Sequence, residues 1–417
     1  MTKTLKRPEV LSPAGTLEKL KVAVRYGADA VFIGGQAYGL RSRAGNFTFE
    51  QMEEGVQFAA KYGAKVYVAA NMVMHEGNEA GAGEWFRKLR DIGIAAVIVS
   101  DPALIMIAAT EAPGLEIHLS TQASATNYET LEFWKELGLT RVVLAREVSM
   151  EELAEIRKRT DVEIEAFVHG AMCISYSGRC TLSNHMSMRD ANRGGCSQSC
   201  RWKYDLYDMP FGKERKSLKG EIPEEFSMSA VDMSMIDHIP DMIENGVDSL
   251  KIEGRMKSLY YTAVVTRAYR KAVDLAEGRI TREKAQPFID DLYKTSHRAF
   301  GTGFFYGKDD ANETVSGESA GEYDMAGTIE GIVPDEQAEP IFAAALNTGA
   351  AFERSLENLH PKAREARQND FALHPEKVPQ VLIERAHCKL YVFRPLNQID
   401  SQTELEAVSP DCAHLHI

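Results

Sequence analysis

Short runs of β-branched and apolar residues alternate with stretches of helical periodicity between residue 9 and about residue 275. This alternation is typical of consecutive βα units, whose strands lie in a parallel sheet. Eight strands are predicted, at residues 9–12, 30–34, 65–71, 96–100, 116–122, 141–146, 163–169 and 249–253. Eight units favour a closed TIM-like (β/α) barrel over a doubly wound open sheet, so we expect an α/β fold of the barrel type.

One connection is much longer than the others. About 80 residues separate the strand that ends at His169 from the strand that begins at Ser249. In a barrel this connection leaves the C-terminal end of a strand, where active sites are built. We therefore expect an insertion over residues 170–232 that lies on the C-terminal rim, close to the reaction centre.

Four of the six cysteines lie in this insertion, at Cys173, Cys180, Cys196 and Cys200. In a reducing compartment such a group indicates metal or redox chemistry rather than a set of disulfides. Thiolates are soft ligands that suit iron–sulfur clusters and zinc. The spacing lacks the short C-x₂-C pairs of zinc ribbons, so we expect an iron–sulfur cluster. Structural zinc and free thiols remain alternatives.

The chain of 417 residues is longer than one ordinary domain, so a smaller part is expected beside the barrel. The predicted division is a barrel at residues 1–278, a helical connector and loop at 279–325, and a C-terminal region at 326–417. That last region has weak strand signals at 328–333 and 380–383 and a helix signal at 350–356. We expect irregular structure over most of it, from residue 334 onward.

Charge and hydropathy restrict the partners and the compartment. No run reaches the roughly 18 apolar residues that a membrane span needs. The N-terminal segment also lacks the apolar core of a signal peptide, so we expect a cytoplasmic protein without membrane contact. The net charge of −13 weighs against broad, non-specific binding of nucleic acid, although a local basic face remains compatible with it.

Polar residues recur where the predicted barrel strands end. Asn71, Gln122, His169 and Glu253 are the candidate catalytic residues in these positions. His169 is a candidate for proton transfer, because an unperturbed imidazole titrates near neutral pH. Each residue taken alone is equally compatible with a structural role in a cap, an ion pair or a satisfied hydrogen bond.

Basic residues near the same rim are candidates for binding the substrate. Arg146, Arg255 and Lys257 follow predicted strands, and Arg41 and Arg43 lie on the loop after the second strand. Such side chains bind carboxylates and phosphates, and arginine does so with two parallel hydrogen bonds. Ion pairs that hold loops in place are the alternative explanation.

Basic and aromatic residues are interleaved in the insertion, in the segment CRWKY at 200–204, and further basic residues follow at 213–219. Aromatic rings beside cations are what single-stranded RNA needs for stacking and charge neutralisation. Trp202 is therefore a candidate substrate-binding residue. A solvated flap around the cysteines is the alternative.

Several motifs resemble those of the collagenase-like U-32 peptidase family. They are EAFVHGAMCISYSGRCTLS at 165–183, LSPAG at 11–15, ADAVFIGG at 28–35 and LKIEGRMKS at 250–258. The resemblance covers roughly residues 8–325. It implies a barrel that carries a [4Fe-4S] cluster on four cysteines. Some relatives take one ligand from a position that aligns with Ser234, so the resemblance implies that Cys200 supplies the fourth thiolate.

The resemblance also implies a function. One branch of the family takes part in forming 5-hydroxyuridine at the wobble position of tRNA, with prephenate implicated, and other members act on ribosomal RNA or on the ubiquinone ring. An iron–sulfur enzyme of tRNA hydroxylation is therefore expected, with tRNA and a small-molecule donor such as prephenate as partners. A protein partner of the same family is a further expectation.

Two alternatives belong to other functional classes. The family label suggests a peptidase, but the sequence has no HExxH helix, and its GxSxG match at 317–321 lies in a predicted loop rather than in the strand-to-helix turn of a hydrolase nucleophile. A cluster would also occupy the cysteines that could serve as nucleophiles. The second alternative is a non-catalytic RNA-binding protein in which the four cysteines hold a structural metal.

Overall fold

The structure is a computed structural model, and it describes residues 7–40, 46–205, 207–208, 216–217, 225–307, 314–315, 318–319, 321, 323, 325–332, 391–395, 406–411 and 415–416. Within this part of the chain, two compact units are present. One comprises residues 1–324 and 406–417, and the other comprises residues 325–405. The second unit thus begins close to the predicted boundary at 326, and the last twelve residues of the predicted C-terminal region group with the barrel unit.

Eight parallel strands form the expected closed barrel. Each strand pairs with the next along the chain, and the eighth pairs with both the seventh and the first. The strands are β1 (Glu9–Pro13), β2 (Ala30–Gly34), β3 (Lys65–Ala70), β4 (Ala96–Val99), β5 (Glu116–Leu119), β6 (Arg141–Val143), β7 (Glu163–Ala171) and β8 (Ser249–Ile252). The prediction of a TIM-like α/β barrel is confirmed.

Ten α-helices are described, and the first six surround the barrel because each connects two parallel neighbours. They are α1 (Leu17–Arg25), α2 (Phe49–Ala60), α3 (Ala82–Asp91), α4 (Pro102–Glu111), α5 (Tyr128–Glu136), α6 (Met150–Arg159), α7 (Leu182–Ser187), α8 (Ile239–Glu244), α9 (Leu259–Ala276) and α10 (Arg282–Asp290). Thr48 and Ser149 begin α2 and α6 with capping boxes, in which side chain and backbone exchange hydrogen bonds. No described helix has the length and apolar character needed to cross a membrane.

Two strands end three residues earlier than predicted, and this changes where their polar residues lie. β5 ends at Leu119 and a 3₁₀ turn follows at Thr121–Ala123, whereas the predicted strand continued to residue 122. β6 ends at Val143 rather than at residue 146. Gln122 and Arg146 therefore lie in the segments that follow the strand ends, and not within the strands.

The insertion contains short elements rather than a domain of its own. Besides α7 it has 3₁₀ turns at Ala191–Arg193 and Ser199–Arg201, and short strands at Tyr204–Asp205, Tyr207–Asp208, Lys216–Ser217, Glu225–Phe226, Ser229–Ala230 and Asp232–Ser234. The last of these pairs antiparallel with the end of β7, with Ser234 opposite His169. A parallel pairing with Phe300–Gly301 extends this edge. The insertion therefore returns to the barrel through a continuation of its sheet.

The connector after the barrel is helical, as predicted, with α10 followed by a 3₁₀ turn at Asp291–Lys294. In the unit of residues 325–405, Gly327–Ile332 pairs antiparallel with Tyr391–Pro395. The first of these strands matches the strand signal at 328–333. The signals at 350–356 and 380–383 lie outside the described residues.

Candidate active site

A cavity of about 200 Å³ opens at the C-terminal ends of the barrel strands. Predicted site residues that line it are Asn71, Gln122, Arg146, Glu253, Arg255, Cys173, Cys196 and Cys200. The lining also contains five polar residues outside that set, namely Ser120, Thr121, Gln198, Arg201 and Lys251. The rim residues of several strands and the cysteines of the insertion therefore share one cavity.

Positive charge dominates the cavity wall. Arg146, Arg201, Lys251 and Arg255 line it, and Glu253 is the acidic side chain among the described lining residues. The guanidinium of Arg146 lies 3.8 Å from the centre of the Phe167 ring, which orients it by cation–π contact. Such a wall favours an anionic ligand, because two or more cations in a partly dry cavity attract carboxylates strongly.

Lys251 connects the cavity to a buried ion network inside the barrel. Its Nζ lies 2.6 Å from Oε1 of Glu165, which is fully buried. Arg141 Nη1 lies 3.3 Å from the other oxygen of Glu165 and 2.7 Å from Glu9. Burial opposes ionisation of Glu165, but Lys251 and Arg141 outweigh it and hold the pKa of this carboxyl below its ordinary value. The network fixes the ammonium group at the base of the cavity.

The first half of the insertion is held against the loops after β5 and β6. The backbone N–H of Ser177 donates to Oε1 of Glu147 at 2.9 Å, and Ser124 donates to the carbonyl oxygen of Ser177. Next to it, Gly178 has a φ of +71° and lies so close to Gln122 that a Cβ would be 2.0 Å from the Gln122 carbonyl oxygen. Glycine is therefore required here for both conformation and space.

The second half of the insertion is held by the loop after β3. The backbone N–H of Val73 donates to the carbonyl oxygen of Asn192 at 3.0 Å, and Arg193 Nη2 lies 2.8 Å from Oδ1 of Asn78. The Asn192 side chain also donates to the carbonyl oxygen of Cys180 at 3.1 Å. The insertion thus contacts the loops that follow three different barrel strands.

The four cysteines of the insertion are free thiols, with Cys173 and Cys196 exposed and Cys180 and Cys200 half-buried. Burial raises the pKa of the Cys200 thiol, and the neighbouring Cys173 raises it further. Among the described residues, no three His, Cys, Asp or Glu side chains converge as ligands of a single ion. In a cubane cluster each thiolate binds its own iron, so its ligands need not converge in this way, and the donor set fits such a group.

Sequence comparison identifies the family. The signature described as Peptidase family U32 matches residues 15–315, which is most of the chain. The chain belongs to peptidase family U32. The cysteine insertion and every cavity-lining residue lie within the U32 region.

Similar U32 proteins are named for RNA hydroxylation. The chain is 52% identical over 330 residues to tRNA hydroxylation protein P1 of Bacillus subtilis, covering 78% of this chain and 77% of that protein. It is 38% identical over 342 residues to tRNA hydroxylation protein P of Escherichia coli, covering 72% and 74%. A third relative, the 23S rRNA 5-hydroxycytidine C2501 synthase of Escherichia coli, is 36% identical over 307 residues, covering 72% of this chain and 45% of that protein.

His169, a member of the U32 signature segment, does not line the cavity. It is 1% exposed and packs against the rings of Tyr261, Tyr269 and Phe300. Its Nδ1 lies 3.3 Å from the Tyr269 hydroxyl. Burial lowers the pKa of His169 to about 3, so the imidazole is neutral at physiological pH. This environment favours a packing role over the predicted proton transfer.

The burial of His169 is expected to reduce the stability of the protein at acid pH. As pH falls from 7.5 to 5.5, the unfolded chain protonates His169 near pH 6.5 whereas the folded chain does not, so His169 should reduce the free energy of unfolding by about 1.4 kcal/mol. Urea unfolding at the two pH values, compared with a His169→Gln variant, measures this difference. The exposed His75 provides the control variant His75→Gln. An equal pH dependence for wild type and His169→Gln would contradict the expectation.

The remaining predicted residues lie elsewhere. Lys257 donates to the Ser296 carbonyl oxygen at 2.8 Å, and burial lowers the pKa of its ammonium group. Trp202 is 42% exposed on the insertion. Together with His169, the described candidates Lys257, Trp202 and Cys180 are not part of the cavity lining. Arg41 and Arg43 lie outside the described residues.

A Gly178→Ala variant is expected to loosen the insertion. Gly63 has nearly the same φ, +72°, but has open space around it, so Gly63→Ala is a matched control. Both variants incur about 1–2 kcal/mol for the left-handed backbone. Gly178→Ala should lose a further 1–3 kcal/mol or so, because the methyl group would collide with the Gln122 backbone.

Urea unfolding of the two variants checks this difference, together with iron analysis of the purified proteins. Equal losses of stability and equal iron contents in Gly178→Ala and Gly63→Ala would show that the close contact with Gln122 is unimportant.

Proposed function

We propose that the chain is an iron–sulfur enzyme that takes part in hydroxylating the wobble uridine of tRNA to 5-hydroxyuridine. The observation that carries this proposal is that Cys173, Cys196 and Cys200 share one cationic cavity at the barrel mouth with the polar rim residues. The names of the similar U32 proteins support the same reaction class.

The proposed cluster is a [4Fe-4S] group, and its ligands would be Cys173, Cys180, Cys196 and Cys200. A bound cluster supplies electron transfer or substrate activation next to the cavity. The chain's own contribution is to hold the four thiolates in place through Ser177, Gly178, Asn192 and Arg193, which contact the barrel loops. Cysteines on a segment without such contacts would lack this support.

The cavity suits prephenate as the small-molecule donor, because this molecule carries two carboxylates. Arg146 and Arg255 can each bind one carboxylate with two hydrogen bonds, and Lys251 adds a third positive charge. Asn71 and Gln122 line the same cavity and supply amide groups for the donor's neutral oxygens. In this step the donor supplies an oxygen atom and is reduced by two electrons while uridine C5 gains the hydroxyl group. The C5 hydrogen leaves as a proton, which the carboxylate of Glu253, lining the same cavity, can accept.

The insertion provides a surface for the RNA. Residues 173–205 carry five Arg or Lys and two Asp side chains, a net charge of +3, whereas the whole chain has a net charge of −13. Tyr176 is 67% exposed and Trp202 is 42% exposed on this basic segment. Exposed rings beside cations bind unstacked bases of single-stranded RNA loops, so these two residues are the proposed stacking positions.

The experiment that tests the proposal combines deletion of the gene with complementation by the wild-type gene. tRNA from cells that lack this protein, and any paralogue with the same activity, is digested and analysed by mass spectrometry for 5-hydroxyuridine and its derivatives. The modification should disappear, and it should return with the wild-type gene. Normal modification in the deletion strain would refute the proposal. Gelatin degradation by the purified protein, abolished by substituting a residue other than the cysteines, would favour the peptidase alternative.

A further inference from the structure

Arg255 is enclosed by three glycines from three different segments. A Cβ on Gly15, just after β1, would lie 2.5 Å from the Arg255 carbonyl oxygen, and a Cβ on Gly34, at the end of β2, would lie 1.9 Å from its Nη1 atom. Gly254 precedes it with a φ of +149° and lies against the Tyr261 ring. Arg255 itself is 5% exposed and lines the cavity. Glycines therefore lie close to both the backbone and the guanidinium of Arg255.

Gly34 differs from the other two glycines, because the groups nearest to its missing Cβ are the ends of two polar side chains, the Arg255 guanidinium and Oδ1 of Asn46 at 2.9 Å. Its φ is outside the left-handed region, so the backbone conformation accepts any residue. The backbone is also fixed, since Gly34 pairs with Ala69 and its carbonyl oxygen accepts the Phe47 N–H at 3.0 Å. A side chain at residue 34 would therefore displace the end of the Arg255 side chain, and to a smaller extent that of Asn46, rather than the strand.

The adjacent Gly35 provides a natural comparison. A Cβ on Gly35 would meet the ends of the Trp85 and Met52 side chains at 3.0 and 3.1 Å, outside the barrel. Successive residues of a strand point to opposite faces, so Gly34 faces the cavity and Gly35 faces the helices. Comparing substitutions at the two glycines therefore separates an effect on Arg255 from a general effect of added volume at this strand end.

We propose that Gly34 is a positioning residue that sets where the Arg255 guanidinium binds a carboxylate in the cavity. Without a side chain at residue 34, the guanidinium lies against the end of β2, where its Nη2 is 3.5 Å from Oδ1 of Asn46, and faces the ligand space. A methyl group at residue 34 moves the guanidinium by at least about 1 Å, because a Cβ contact must open from 1.9 Å to 3.0 Å or more. The identity of the bound carboxylate as prephenate rests on the proposed function above.

Two measurements on the full chain test this role. The first is a crystal structure of Gly34→Ala beside wild type, in which the guanidinium moves by about 1 Å or more while the backbone of residue 34 stays in place. The second is calorimetric binding of prephenate to wild type, Gly34→Ala, Arg255→Ala, the double variant and the control Gly35→Ala. Gly34→Ala and Arg255→Ala each weaken binding at least about tenfold, which corresponds to about 1.4 kcal/mol. The double variant is no weaker than Arg255→Ala, and Gly35→Ala binds like wild type.

The outcomes separate this role from the proposed function. A guanidinium that stays in place in Gly34→Ala overturns the positioning role, as does a tenfold further loss when Gly34→Ala is added to Arg255→Ala, since the two effects would then be independent. Wild type that does not bind prephenate contradicts the donor assignment in the proposed function. In that case the crystal structures alone decide whether Gly34 positions Arg255.

Discussion

Cys173→Ser is expected to lose its cluster and all detectable support of tRNA hydroxylation. Anaerobically purified wild type should be brown and contain about four irons per chain, and the variant should contain less than about one, because serine oxygen is a poor ligand for an iron–sulfur cluster. The measurements are the visible spectrum, iron and sulfide content, and the 5-hydroxyuridine content of tRNA from cells that express the variant. Cys180, Cys196 and Cys200 variants should behave alike.

Cys388→Ser is the matched control, because it also removes one thiol but alters a cysteine far along the chain from the other four. It should keep its colour and its iron. A colourless wild type with one zinc per chain would contradict the expected cluster and make the four cysteines a structural metal site. Cys200→Ser with full iron content would show that another residue supplies the fourth ligand.

Lys251→Met is expected to reduce the free energy of unfolding by about 3–5 kcal/mol, because it leaves the Glu165 carboxylate buried without its closest cation. Lys251 and Glu165 are 5% and 0% exposed, so water cannot replace the lost partner. Methionine keeps most of the length of the lysine stem, and its thioether can take the place of the ammonium group, whose Nζ lies 4.8 and 5.4 Å from the ring centres of Phe32 and Phe167. Urea unfolding by circular dichroism measures the loss.

The double variant Lys251→Met/Glu165→Met is the control. It removes both members of the pair, and Arg141 retains the carboxylates of Glu9 and Glu163 at 2.7 and 2.8 Å. Most of the lost stability should therefore return, since a buried ion pair adds little over apolar residues of similar size. A double variant that is no more stable than Lys251→Met would show that the loss comes from packing rather than from an uncompensated charge.

Strand periodicity was sufficient to predict the barrel, because strands that are buried on both faces must be apolar throughout. β2 and β4 are buried along their full length and consist of Ala, Val, Ile, Phe and Gly. The ends of β5 and β6 were placed three residues too late, since backbone hydrogen bonding to the neighbouring strands continues through Ser120 and Leu144 before the chain turns away. A 3₁₀ turn at Thr121–Ala123 has no distinct sequence signal.

Much of the cavity was predictable, because residues at the C-terminal ends of parallel strands meet at one end of a barrel. Asn71, Gln122, Arg146, Glu253 and Arg255 line it together. Lys251 was missed although its sequence contains a signal, since a lone lysine within a buried strand requires a buried partner. The partner could not be named, because Glu165 lies 86 residues away along the chain.

The residue pattern alone determined the fold class and the position of the insertion, and it identified the four cysteines as candidate ligands, because each depends on local periodicity or on residue chemistry. Tertiary structure decided which of the candidates share a site. It placed His169 in an aromatic core rather than in the cavity, and it placed Gly34 against Arg255. The burial of a side chain and its contacts depend on which distant segments lie next to each other, and the closure of the barrel determines this.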